Sequence, residues 1–120
     1  MEFGTRYETV TAAVEILERE LGITMQARHV EYVGEVYSWD SDLGAKKGVR
    51  YYGITIRPTR YEVENVLGSF LADPRWEPYS FVIDVSDELG GEIQCIRDLV
   101  AQGVLAAREV PGPTDEACSN

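Results

Sequence analysis

The stretch PYSFVIDVSDELGGEIQCIRDLVAQGVLAAREVPG, residues 78–112, decides the fold of this chain because its apolar runs admit two parses. In the first, Ser80–Val85 is a strand, a helix runs from about Gly91 to Gln102, and Val104–Val110 is a second strand. The helix would turn Ile93, Ile96, Leu99 and Val100 toward a core and stop at Gly103. In the second, FVIDVSDELGG is a short helix, EIQCIRDLVAQG another, and VLAAREV a single strand. Runs this short fit both, because a few consecutive apolar residues carry no periodicity of their own.

The second parse resembles the helix-turn-helix and wing of winged-helix proteins. Val85 and Ser86 fall in its first helix, Leu89 and Gly90 at its turn, and Ile96 and Leu99 in its second helix. The resemblance covers about a quarter of the chain and implies a transcriptional regulator or a protein-interaction module. It departs from the pattern at Gly91, where such a turn places an apolar residue. Glu92, Gln94, Arg97, Asp98 and Gln102 on the second helix form a face no more basic than acidic, which points to protein contacts rather than DNA. This parse requires Phe81–Gly90 to be helical.

Upstream, the tetrapeptide Thr-Arg-Tyr-Glu occurs twice, at Thr5 and at Thr59. Both read as capping boxes, with Glu8 and Glu62 three residues after the threonine. The first helix would bury Val10, Ala13, Val14, Leu17 and Leu21 and end at Gly22. MEFGT ahead of it reads as a vector-derived lead-in. The second helix would bury Val63, Val66, Leu67, Phe70 and Leu71 and end at Asp73-Pro74. Residues 9–20 and 63–74 share only the leucine of Leu17 and Leu71, so the repeat is shared local grammar and not a duplication.

Between these helices, RHVEYVGEVYSW (28–39) and VRYYGITIRP (49–58) read as an antiparallel hairpin, with a bulge at Gly34 and a polar tip DSDLGAKKG. The expected architecture is one α+β domain over residues 1–110. A mainly antiparallel sheet seeded by the 28–57 hairpin carries two to three α-helices on one face. Residues 111–120 follow as a disordered acidic tail.

Composition narrows the function classes. Hydrophobic residues make up 44% of 120, enough for a core without staples. No apolar run approaches the roughly 20 residues of a membrane span, and no basic, apolar leader opens the chain, so a cytoplasmic protein is expected. Cys95 and Cys118 make no disulfide framework. Net charge is −10, and residues 58–120 hold four basic against twelve acidic groups. Such a field repels phosphates and draws in cationic surfaces, so direct nucleic-acid binding is not expected.

No constellation for catalysis stands out. His29 is the single histidine and lacks a companion for a triad or a metal site. Asp40 and Asp42 begin like a calcium loop, but Gly44 and Tyr51 occupy positions that need oxygen ligands. No cofactor, no metal and no enzymatic activity are therefore expected. What remains is acid and aromatics: Asp84, Asp87, Glu88 and Glu92, with Asp40, Asp42 and the anchors Trp39 and Trp76. Tryptophan beside charge is the composition of a binding hot spot. The expectation is an acidic protein of inhibitor or immunity type (anti-toxin, anti-defence or nucleic-acid mimic). It would occlude a basic protein such as a nuclease or a nucleic-acid-binding complex.

Overall fold

Phe81–Val85 is a strand, and this settles the parse. A computed structural model of the chain describes residues 1–31, 33–41, 53–62 and 69–112. In chain order these are β1 (Glu2–Thr5), α1 (Val10–Leu21), β2 (Gln26–Val30), β3 (Gly34–Asp40), β4 (Gly53–Pro58), β5 (Arg60–Glu62) and β6 (Ser69–Leu71). A 3-10 turn (Pro74–Trp76), β7 (Phe81–Val85), α2 (Gly90–Ala101) and β8 (Ala107–Val110) complete the order. With residues 81–85 extended and paired on both sides, the helix-turn-helix parse fails. The alternation of Phe81, Ile83 and Val85 against Val82 and Asp84 is period 2, the strand's own period.

Six strands form one antiparallel sheet in the order β2-β3-β4-β7-β1-β8, and both helices cover one of its faces. The register puts Phe3, Ile54, Ile56, Ile83 and Val85 on that face. Ala13, Val14 and Leu17 of α1 meet them there, with Ile93, Ile96 and Leu99 of α2. These are the helix positions expected from spacing, so the α+β class and the packing of helices on one face hold. Gly22 ends α1 with φ of 66°, and its N–H bonds the carbonyl of Glu18 at 3.0 Å. A side chain would be strained in that left-handed conformation.

Three local expectations are corrected. First, Thr5 does not cap α1. Residues 2–5 are the inner strand β1, hydrogen-bonded to β7 and β8, and Thr9 stands at the cap position with extended backbone. Phe3, Gly4 and Thr5 are buried, so this segment is part of the fold and not a lead-in to it. Burial of Phe3 between two strands outweighs a capping box. Second, Thr59 opens no helix. Arg60–Glu62 pairs with Ser69–Leu71 as a small hairpin, and residues 63–68, with Val63, Val66 and Leu67, lie outside the described residues.

Third, residues 28–39 are not one strand. The chain reverses between Val30 and Gly34, where Val33 N–H bonds Val30 O at 3.1 Å and Gly34 adopts φ of 100°. Gly34 is therefore the conformational requirement of a turn, not a bulge. The β3–β4 pairing stands as expected, with Trp39 opposite Ile54. Its tip, including Asp42, lies outside the described residues, as do residues 113–120 of the expected tail.

The two Thr-Arg-Tyr-Glu copies share a structural position instead. Thr5 ends β1 and Thr59 follows β4, the two strands that flank β7. Ser80 N–H bonds Thr5 O at 2.7 Å, and Thr59 N–H bonds Ser80 O at 3.0 Å. Both threonines are buried. The Thr59 hydroxyl donates to Tyr79 O at 2.7 Å, pinning the start of the 59–80 excursion to its end.

That excursion covers part of the sheet's second face, where Trp76, Leu71, Ala72 and Tyr79 pack on Val82 and Val110. Arg75 fastens it: its guanidinium meets Asp73 at 2.6 Å and Glu2 of β1 at 3.2 Å, and it donates to Pro111 O. Hydrogen bonds from Arg75 hold the Asp73 carboxyl below its ordinary value of 3.8. A carboxylate depressed in the folded state contributes stability above its unfolded value and loses it as pH falls through the folded one. Stability is thus expected to drop below pH 3.8 in part through this group. In urea titrations between neutral pH and that range, Asp73→Asn should cost about 1 kcal/mol at neutral pH and flatten the acid dependence. An unchanged acid slope would detach Asp73 from it.

Candidate protein-binding face

The ends of β3, β4 and β7 gather the acidic residues that the sequence scatters. Asp40 closes β3, exposed, opposite Gly53 at the start of β4. Gly53 in turn exchanges bonds with Ser86, its N–H to Ser86 Oγ and Ser86 N–H to its carbonyl, both at 3.0 Å. Asp87 and Glu88 follow directly, exposed in a turn closed by Leu89 N–H to Ser86 O at 3.0 Å. Glu92 lies in the first turn of α2, where the helix dipole favours a carboxylate. One end of the sheet therefore presents carboxylates from β3, the β7–α2 turn and α2.

Their partners differ. Asp87 is 85% exposed and sits 2.8 Å from the Met1 ammonium, whose hydrogen bond and charge hold its carboxyl below the ordinary range. Asp84 faces the second side of the sheet and pairs with Arg57 at 3.2 Å. Asp40, Glu88 and Glu92 have no ion pair among the described residues. Trp39 is half-buried against the helix-side core at this end.

Trp76 is elsewhere. It is 5% exposed, packed on Val82 and Val110 under the excursion, with the Arg57 guanidinium 5.1 Å from its ring centre. It serves the fold and offers no surface to a partner. Asp42 lies outside the described residues. Tertiary structure thus gathers Trp39, Asp40, Asp87, Glu88 and Glu92 at one end of the sheet, with Trp39 on the helix side and Asp40, like Asp84, in register with the second face, and it removes Trp76.

Other chemistry-bearing groups lie apart. His29 is exposed on β2, opposite Glu35. Cys95 on α2 is half-buried, and burial pushes its thiol up, with Asp98, Glu20 and Glu92 adding to the shift. Among the described residues no three His, Cys, Asp or Glu side chains gather where a metal ion could sit, and no helix is long and apolar enough to cross a membrane.

The sequence reading missed the opposite end of the sheet. There Gly4, Arg6 and Tyr7 meet Tyr79 and Ala106–Arg108 around an open cleft of about 470 Å³. Arg6 and Arg108 stand 102 residues apart in a chain dominated by acid, and only the β1–β8 register, with Gly4 opposite Arg108, brings them together. Comparison with family models, with curated proteins and with solved structures returned no match to this chain.

Proposed function

We propose that the chain is a protein-binding protein that covers a basic surface with its acidic sheet end, in the manner of an inhibitor or immunity-type protein. The observation that carries this reading is the placement of Asp40, Asp87, Glu88 and Glu92, from β3, the β7–α2 turn and α2, at the same end of the sheet as the half-buried Trp39. Three of these carboxylates are uncommitted within the described fold. Carboxylates would meet Arg and Lys of the partner, and Trp39 would supply the apolar contact. A nucleic-acid-handling protein fits as partner class, because its phosphate-binding surface is basic by necessity. Occlusion of that surface needs no chemistry from this chain.

The test is capture from nuclease-treated native lysate by the wild-type chain and by Asp40→Lys/Glu88→Lys. One basic protein should be held at low salt, shed at high salt, and bound by the variant roughly tenfold or more less tightly. Capture indifferent to the two substitutions would overturn this reading, and so would capture that vanishes with nuclease.

A further inference from the structure

The cleft at the far end of the sheet differs in chemistry from the acidic end, and its residues have no role in the reading above. Among the described residues its lining is Gly4, Arg6, Tyr7, Tyr79 and Ala106–Arg108, which bring no carboxylate. The chain holds 21 acidic residues against 11 basic ones, yet two arginines here share one concavity. Neither has an ion pair among the described residues. Two guanidinium groups lining one cleft give it a positive potential that favours an anion.

The donors are also oriented. Arg6 Nε donates to Pro78 O at 3.1 Å, which anchors the guanidinium and leaves its terminal N–H groups available. The Tyr7 hydroxyl accepts from Ala106 N–H at 2.8 Å, so its own proton remains to donate. Tyr79 lies against the Cα of Gly4, where even a Cβ would collide with the ring, and so brings an aromatic surface down to the sheet. β8 is the edge strand, so the cleft opens to solvent. At about 470 Å³ it falls within the 300–1,000 Å³ typical of small-molecule sites.

We propose that this cleft binds a small organic phosphate monoester with a flat body. The forks of Arg6 and Arg108 match the oxygens of a tetrahedral dianion, the Tyr7 hydroxyl adds a further donor, and the flat body lies along Tyr79, Ala106 and Ala107. The site is independent of the acidic end, and its test shares no residue with the capture experiment.

Adenosine 5′-monophosphate serves as the probe, with inorganic phosphate and adenosine as its two halves. Each is titrated at low salt into isotope-labelled protein while backbone amide shifts are followed. Saturable shifts confined to Gly4, Arg6, Tyr7, Tyr79 and Ala106–Arg108 are expected with the nucleotide, and affinity at least tenfold weaker for either half. The Arg108 side chain makes no hydrogen bond or ion pair among the described residues, so Arg108→Gln should leave thermal unfolding unchanged while weakening the nucleotide about tenfold or more. The proposal is overturned by no saturable shift up to about 10 mM nucleotide. It is also overturned if either half binds as tightly as the nucleotide, or if Arg108→Gln binds like wild type.

Discussion

Phe3→Ala is expected to remove about 3–5 kcal/mol of folding stability, a large share of the roughly 5–15 kcal/mol a domain of this size possesses. Phe3 is 0% exposed in a strand with neighbours on both sides, aligned with Ile83 on β7 and Glu109 on β8. Its ring lies on the helix-covered face, in the cluster that also holds Leu17 and Ile96. Truncation leaves a cavity lined by two helices and two inner strands, which cannot collapse into it without breaking the ladder. Urea unfolding should show a lower midpoint with an unchanged slope. A midpoint equal to wild type would mean that residues 1–5 lie outside the cooperative fold, as a lead-in would.

Gly4→Val should cost about 3 kcal/mol, by overpacking. A Cβ on Gly4 would lie 2.6 Å from Tyr79 Cδ1 and closer still to Cγ. The ring has little room to retreat, because Tyr79 N–H bonds Trp76 O at 2.9 Å and its carbonyl receives the Thr59 hydroxyl at 2.7 Å. The collision makes a specific prediction for the double variant Gly4→Val/Tyr79→Ala. Its loss should be smaller than the sum of the single losses by about 1–2 kcal/mol. Additive losses in thermal or urea melts would show that the ring does not press on the strand.

Local pattern reads well where one stripe of residues does one job. Val14 and Leu17 in α1, and Ile93, Ile96 and Leu99 in α2, are legible because helical spacing alone selects them for a core. Gly22 is legible because few residues other than glycine end a helix at positive φ. The Thr-Arg-Tyr-Glu copies mislead for the same reason that they attract attention. A threonine with glutamate three residues on satisfies a capping box locally, while Thr5 and Thr59 are claimed by Ser80 from the two sides of β7. Of the candidate site, residue types were legible and partners were not. Trp76 and Trp39 look alike in sequence, but one lies beneath an excursion fastened by Arg75 and the other is half-buried where β3 pairs with the start of β4.

The sequence by itself determined the α+β class, the apolar faces of both helices, the β3–β4 pairing and the excess of negative charge. Those properties are sums over the chain, short periods, or the pairing of neighbouring segments. Only the tertiary structure decided that residues 2–5 are an inner strand. It also decided that Asp40 and Glu88 lie at one end of the sheet, and that Arg6 and Arg108 line one cleft. Strand pairing joins residues separated by most of the chain, and its free energy comes from burial on both sides of a ladder that no local window contains.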